Sequence, residues 1–254
     1  MEPTLYRGIA ENEGTRWWDQ GRHLIIDRIL TPFLPLGRQL NILSAGCGTG
    51  GELRFLQRYG DVVGVDASPE AIRFARLAGF DDTKVKQSPI EQLPFRDRSF
   101  DIVFALEVLE HIRDERPGLD EIHRVLCDDG LAVFTVPAFS SLWSNADLRE
   151  HHFRRYRRRS LAALLREAHF IPLRLTYFNA FLFLPIACAK IFSRIREPKL
   201  LETSEVSLPL ALNTLLTKIF AAEAPLLARM NFPFGISIAA VVRKAAAGSV
   251  RVQV

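Results

Sequence analysis

The chain has 254 residues, 48% of them hydrophobic, and a formal net charge of +4 at pH 7. This length suffices for one α/β domain with a sizeable core and leaves little room for a second full domain. The modest charge gives no support to nucleic acid as a partner. We therefore predict a single domain over residues 1–254.

Cysteine usage and the first residues bear on the compartment. The three cysteines, Cys47, Cys127 and Cys188, lie far apart without metal-ligand spacing, and an odd number suits a reducing environment. The start, Met1-Glu2-Pro3-Thr4, does not have the pattern of a signal peptide. We predict a cytoplasmic protein without a metal site.

Residues 1–39 are predicted to form a helical cap before the first strand. Two helices are indicated, and the amphipathic pattern of the second stops at Pro32 and Pro35. Large aromatic side chains are mostly buried. The tryptophans of this segment are thus expected to pack the cap against the sheet.

A glycine-rich turn follows the first predicted strand. The apolar run Ile42-Leu43-Ser44-Ala45 leads into Gly46-Cys47-Gly48-Thr49-Gly50, and a helical pattern follows at once. Glycine lacks the Cβ atom that keeps a ligand away from the backbone, and free amides at a helix start favour electronegative groups. Asp66 ends the next apolar run, where a carboxylate can accept hydrogen bonds from both ribose hydroxyls. The turn and the acid together predict an adenosine-type cofactor.

Further segments follow the turn in order. They are Val63-Gly64-Val65-Asp66-Ala67-Ser68, Glu91-Gln92-Leu93-Pro94-Phe95, Ser99-Phe100-Asp101-Ile102-Val103, Leu109-Glu110-His111 and Glu121-Ile122-His123-Arg124-Val125-Leu126. With these motifs, over Leu40 to Val136, the chain resembles class I S-adenosylmethionine-dependent methyltransferases of the type 11 group. The resemblance implies a Rossmann-like, doubly wound α/β fold. Its seven-stranded, mostly parallel sheet has the order 3-2-1-4-5-7-6, with strand seven antiparallel.

The resemblance also implies which residues hold S-adenosylmethionine. Tyr6, Trp18 and Arg22 of the cap are expected to form a lid over the methionine half, where a guanidinium suits the carboxylate. The alternative for the aromatic residues is packing alone. The other expected cofactor-binding residues are Ala45, Gly46, Cys47, Gly48, Asp66, Ala67, Ser68, Ile90, Glu91, Leu106, Glu107 and His111.

Two positions depart from the family pattern. Ser44 stands where the family usually has aspartate, which weakens the expected anchoring of the methionine ammonium. Pro89 stands where an acid often holds the adenine amino group, so adenine recognition is expected to rely on the Ile90 backbone amide and on packing.

His111 follows the predicted fourth strand, Ser99 to Leu106, and the resemblance places it near the transferred methyl group. One interpretation is a general base, because an unperturbed histidine has a pKa near neutrality. The other is a histidine that orients the loop.

Residues 139–160 are expected to determine the acceptor. They contain Trp143-Ser144-x-x-Asp147 and His152-x-Arg154-Arg155-Tyr156, which resemble a signature in one branch of these methyltransferases. We predict that His152, Arg155 and Tyr156 face the site, with His111, His152 and Tyr156 as the catalytic candidates and Asp147 orienting a histidine. The inward arginines fit either an anionic acceptor or salt bridges to Asp147 and Glu150.

Residues 179–235 are predicted as a helical insertion in a core of 40–178 and 236–244. It contains two apolar segments, Phe178 to Phe192 and about Leu210 to Met230. Three interpretations stay open: a lid over a hydrophobic acceptor, a contact with the inner membrane face, or a homodimer interface.

The sequence thus predicts an enzyme. It transfers a methyl group from S-adenosylmethionine to an oxygen or nitrogen atom of a small-molecule or lipid-like acceptor, with S-adenosylhomocysteine as the product. Two alternatives are kept: a non-catalytic binding protein on the same fold, and an NAD-dependent oxidoreductase that shares the glycine turn and the ribose acid.

Overall fold

The computed structural model describes residues 3–12, 14–35, 37–193 and 208–245. In this part of the chain, seven strands form one sheet. The strands are β1 (Leu40–Ala45), β2 (Gly60–Asp66), β3 (Val85–Gln87), β4 (Phe100–Leu106), β5 (Leu126–Pro137), β6 (Phe170–Phe178) and β7 (Ser237–Lys244). Their order is β3-β2-β1-β4-β5-β7-β6, which confirms the predicted topology.

Ten helices are described; most of them lie between strands, and two precede the first strand. They are α1 (Pro3–Asn12), α2 (Trp17–Leu30), α3 (Gly51–Leu56), α4 (Pro69–Leu77), α5 (Glu115–Val125), α6 (Asn145–Arg149), α7 (Arg158–Glu167), α8 (Phe183–Ser193), α9 (Leu210–Ala221) and α10 (Ala224–Leu227). Single 3-10 turns lie at Thr31–Phe33, Leu109–His111 and Ser140–Leu142.

The sheet is parallel where its strands are buried on both faces. Every residue of β4 is buried, and β4 pairs in parallel with both β1 and β5. Continuous apolar runs of this kind are typical of strands covered on both faces. Strand β7 is inserted antiparallel between β5 and β6, with Val133 opposite Val241.

This arrangement places the functional loops along one edge of the sheet. Because β1, β2, β4 and β5 run parallel, their carboxyl ends meet at the same edge. The glycine turn follows β1, Asp66 ends β2 and Glu107 follows β4. In open α/β sheets, ligands bind at this edge.

Two element boundaries differ from the local sequence signals, which predict a helix from Pro117 to Cys127 with a stop at Asp128-Asp129-Gly130, and a later helix capped by Ser160. Helix α5 ends at Val125, not at Cys127, because the chain passes directly into β5. The predicted helix stop at Asp128-Asp129-Gly130 is instead an irregular part of β5, with Asp129 in the left-handed region at φ +60°. Ser160 does not cap α7; it is the third residue of the helix, and its hydroxyl accepts the Arg157 amide.

Helices occupy the connection between β6 and β7. Phe178 belongs to β6, so α8 starts at Phe183, later than predicted. The predicted second helix, Leu210 to Met230, is divided into α9 and α10, and residues 194–207 lie outside the described part. Among the described residues, the stretch Leu210–Leu227 is long and apolar enough to cross a membrane by length and composition, and 22% of it is buried.

Candidate active site

The glycine turn after β1 has an open face. Gly46 and Gly48 both have positive φ, +94° and +54°. The Gly46 and Cys47 amides each donate to the Val65 carbonyl at 2.8 Å, which ties the turn to the end of β2. A Cβ atom on Gly48 would meet nothing within 4 Å. The backbone at Gly48 therefore offers the close approach that the sequence predicted.

The carboxylate of Asp66 lies beside this turn. Its oxygens accept the Gly48 amide at 3.0 Å and the Ser68 amide at 2.9 Å, and burial raises its pKa. Tyr6 of α1 shares a hydrogen bond with the Ser68 side chain. Tyr6 therefore lies at the predicted ribose acid, so the proposed three-residue lid over the methionine half does not form as one unit.

A carboxylate also lies beneath the turn, although position 44 lacks one. The Ser44 hydroxyl donates to Oε1 of Glu52 at 2.9 Å, and both residues are buried. The Arg22 guanidinium lies 3.6 Å from Oε2 of the same glutamate. The sequence motifs did not single out Glu52; the signal that indicates it is an acid in the first turn of α3 together with the missing aspartate at Ser44.

The loop after β4 gathers three acidic or basic side chains. Glu107 has a positive φ of +55°. Non-glycine residues with this strained backbone conformation are found most often at functional sites. Glu110 is fully buried, and burial and the Glu107 charge raise the pKa of its carboxyl. Burial lowers the pKa of His111 to about 3. An ordinary pKa was the ground for assigning His111 as a general base, so that ground does not hold.

Asp147 organises the segment after β5. It accepts from Arg155 at 2.7 and 3.0 Å, and its Oδ1 lies 2.9 Å from Nδ1 of His152. Burial alone would raise the pKa of this carboxyl, but the hydrogen bonds from His152 and Arg155 hold it well below its usual range. The Ser144 amide and hydroxyl also donate to Asp147. The Trp-Ser-x-x-Asp and His-x-Arg-Arg-Tyr segments thus form one clamp, and Arg155 is held in a salt bridge.

A cavity of about 1000 Å³ opens where these segments meet α2, α8 and α9. Its polar lining residues include Arg22, Glu107, His111, Glu150 and His152. Its apolar lining residues include Trp18, Leu182, Pro185, Ile186, Ala189 and Leu216. Six residues predicted to lie at the site therefore line one space together with the insertion: Trp18, Arg22, Glu107, His111, His152 and Arg155.

Other predicted site residues lie elsewhere. Tyr156 is 5% exposed, and its hydroxyl donates to Oε1 of Glu115 at 3.0 Å. It does not line the cavity, so the structure gives no support to a catalytic role. Trp18 also packs against Phe178 and Phe220, as the packing interpretation expects.

The remaining predicted cofactor residues follow β1, β2, β3 and β4. Ala45, Cys47, Ile90 and Leu106 are buried, while Ala67 and Glu91 are exposed. Ile90 packs close to Gly118 of α5. The adenine side is therefore open at Ala67 and Glu91, but it lacks a buried acid at Pro89, as the sequence indicated.

The glycine turn, the acid at the end of β2 and the strand order define a class I methyltransferase fold. Comparison with known proteins agrees: residues 43–134 match a family model described as a methyltransferase domain. The uncharacterized methyltransferase YcgJ of Bacillus subtilis is 35% identical over 94 residues, which are 35% of this chain and 37% of that protein. A probable S-adenosylmethionine-dependent methyltransferase of Mycobacterium tuberculosis is 26% identical over 168 residues, 65% of this chain and 60% of that protein.

A solved structure extends the likeness to the whole fold. A putative methyltransferase in complex with the Haloferax volcanii Trm112 methyltransferase activator has a TM-score of 0.61 at 19% identity, covering 95% of this chain and 94% of that one. The chain spans less than two thirds of either curated relative. Over residues 43–134 the chain is thus similar to S-adenosylmethionine-dependent methyltransferases, and this similarity supports S-adenosylmethionine as the cofactor.

The residues present fit this cofactor. A Cβ atom added to Gly48 would project into open space, so the glycine leaves this space to a ligand. The Asp66 carboxylate is fixed by two amides beside that space, and Glu52 supplies the negative charge that Ser44 lacks. Gly48 and Asp66 would hold the nucleoside, with Glu52 and Arg22 near the amino-acid half.

Proposed function

We propose that the protein transfers a methyl group from S-adenosylmethionine to an oxygen or nitrogen atom of an acceptor with a hydrophobic portion. One observation carries the proposal: predicted cofactor residues and the insertion helices line the same cavity. The lining of that cavity combines charged and imidazole groups with aliphatic side chains. This mixed lining suits an acceptor with a polar reacting end and an apolar body.

S-adenosylmethionine, when bound, supplies a methyl group that its sulfonium centre already activates. The protein then mainly has to hold the acceptor atom beside that methyl group and exclude water, because proximity supplies much of the acceleration. His111, His152 and Glu107 hold the polar end of the acceptor. Asp147 fixes the ring of His152, and Leu182 and Ile186 hold the apolar body.

Exposed side chains on the insertion support a peripheral contact with a membrane surface. Leu184 on α8 is 72% exposed, and Leu210 and Leu215 on α9 are 81% and 53% exposed. Large apolar side chains in such numbers are usually covered by a partner or a membrane. Leu210 also lines the cavity, so an acceptor dissolved in lipid would have a short path to it.

The acceptor class can be tested with radiolabelled methyl donor. The purified protein is incubated with methyl-labelled S-adenosylmethionine and either the organic-soluble or the water-soluble fraction of a cell extract. The proposal expects label in the organic fraction. Label confined to polar products would overturn the hydrophobic acceptor, and no label despite cofactor binding would favour a binding protein on this fold.

Two variants test whether methyl transfer depends on the cavity. Ala189→Phe adds bulk to the cavity wall, whereas Ala163→Phe adds the same bulk to an exposed position of α7. Only the first is expected to lower transfer to the hydrophobic acceptor, by about tenfold or more, with unchanged S-adenosylmethionine affinity. Equal activity in both variants would contradict the role of the cavity.

A further inference from the structure

A carboxylate and two imidazoles converge beside the cavity. One ligand atom from each of Glu110, His111 and His152 lies within 4.8 Å of the other two. Glu110 and His111 come from the 3-10 turn after β4, and His152 comes from the segment after β5. Separate segments thus bring three metal-ligating groups together, a grouping that residue spacing along the chain did not reveal.

Glu110 is the unusual member of this cluster. Its side chain is fully buried, and neither carboxylate oxygen accepts a hydrogen bond from an N–H or hydroxyl group of the described residues. The Glu107 carboxyl lies in hydrogen-bond contact with it, and Oε1 of Glu107 is likewise buried. An unpaired buried carboxylate is costly, and a second one beside it adds repulsion. A bound cation would remove both costs.

Both histidines are held as metal ligands usually are. A ligating histidine generally donates its other ring N–H to a carboxylate or a backbone carbonyl, which fixes the tautomer. His111 is hydrogen-bonded to the backbone of Glu150. Nδ1 of His152 lies 2.9 Å from Oδ1 of Asp147, which leaves Nε2 as the ligand atom. Nε2 also lies 3.3 Å from Oε2 of Glu150.

We propose that Glu110, His111 and His152 bind a divalent transition-metal ion. Two imidazoles and one carboxylate suit Mn²⁺, Fe²⁺, Co²⁺ or Zn²⁺ better than Ca²⁺ or Mg²⁺. Ligand bonds of about 2.0–2.2 Å place the ligand atoms of a tetrahedral ion about 3.3–3.6 Å apart. Side-chain movements that shorten the separations in this cluster by up to roughly 1 Å would close it around an ion.

The ion would have open positions toward the cavity. His111 and His152 line that cavity, and so does Glu107, which is placed to serve as a further ligand. Water or an oxygen atom of the acceptor would fill the remaining positions. This last role rests on the proposed function, whereas the metal site itself does not.

Titration with Co²⁺ tests the site, since its visible absorption reports imidazole and carboxylate ligation. Chelator-stripped protein is expected to bind one equivalent and to gain thermal stability, because a ligand that binds the folded state raises Tm. Glu110→Gln, His111→Ala and His152→Ala are expected to lose the absorption band. Asp147→Asn is expected to weaken binding by about 10- to 100-fold, as for other residues that orient a ligand.

The neighbouring His151 provides the matched control. It is exposed and has a positive φ of +59°, which asparagine tolerates, so His151→Asn should bind Co²⁺ like the wild type. The proposal would be overturned if folded wild-type protein showed no saturable Co²⁺ binding. Binding that survives in both His111→Ala and His152→Ala would also overturn it.

Calorimetric titration with S-adenosylmethionine separates this inference from the proposed function. If the protein binds S-adenosylmethionine but takes up no Co²⁺, the metal-site proposal alone is contradicted. If it binds Co²⁺ specifically but does not bind the cofactor, the methyltransferase proposal is contradicted and the metal-site proposal stands.

Discussion

The Ser44 hydroxyl donates to Oε1 of Glu52 at 2.9 Å beneath the glycine turn. The chain therefore keeps a carboxylate near the end of β1, but supplies it from α3. The guanidinium of Arg22 is 3.6 Å from the same side chain. We therefore expect that the serine at position 44 does not disable the site, because the Glu52 carboxylate lies against it.

Exchange of the two residues tests this relationship. Glu52→Ala is expected to lower S-adenosylmethionine affinity by about tenfold or more, measured by calorimetry. Ser44→Asp in the wild-type background would place two carboxylates in one buried site and cost roughly 3 kcal/mol of stability. The double variant Ser44→Asp with Glu52→Ala should recover much of both losses. No recovery would mean that the two side chains act independently.

The open face of Gly48 makes a second prediction. Gly48→Ala would place a methyl group in the predicted cofactor space, so cofactor binding should be lost while the fold remains. Gly79 also has positive φ, +100°, and a Cβ there meets nothing within 4 Å, but it follows α4 away from the turn. Gly79→Ala therefore controls for backbone strain of about 1 kcal/mol. Equal loss of binding in both variants would point to strain alone.

Asp147 should be important for stability as well as for the site. Asp147→Asn leaves buried Arg155 without its charge partner, which typically costs about 3–5 kcal/mol. For a chain of this size that corresponds to a Tm decrease of roughly 6–20 °C. Asp97→Asn removes an ion pair to Arg124 in which the aspartate side chain is 73% exposed, and should change Tm little. Similar melting of the two variants would contradict the clamp.

Burial of His23 predicts an acid-dependent loss of stability. Its ring stacks on Phe55 with centroids 3.9 Å apart, and burial lowers its pKa from 6.5 to about 3. Between those values the unfolded chain binds a proton that the folded chain does not, so stability falls as pH falls. At pH 5 this costs up to about 2 kcal/mol. His23→Phe should reduce the Tm difference between pH 7 and pH 5, and an unchanged difference would exclude His23 as a cause.

The insertion surface can be tested with vesicles. The double variant Leu184→Glu with Leu215→Glu adds charge to the exposed faces of α8 and α9 and should abolish co-sedimentation with anionic phospholipid vesicles. Leu77→Glu, at a position on α4 that is 71% exposed, should leave it unchanged. Absence of vesicle binding by wild type, together with a dimer that the double variant dissociates, would show that a second copy covers this surface.

Sequence patterns were reliable where local chemistry decides structure. The glycine turn, Asp66 and the buried run of β4 each follow from residue type and spacing, so the fold and the position of the turn beside Asp66 could be predicted. Helix ends were less certain, because tertiary pairing competes with local signals. The chain at Leu126 pairs with Phe100 in the sheet and therefore leaves α5 before the expected stop.

The amino-acid sequence by itself determined the Rossmann-like architecture, the cofactor turn and the apolar insertion. These depend on hydrophobic periodicity and on glycine, which act over a few residues. Only the tertiary structure decided that the Glu52 carboxylate lies against Ser44, that Tyr156 packs away from the cavity, and that Glu110 lies close to two histidines. Such contacts join residues far apart in the chain, and the packing of separate elements alone fixes their distances.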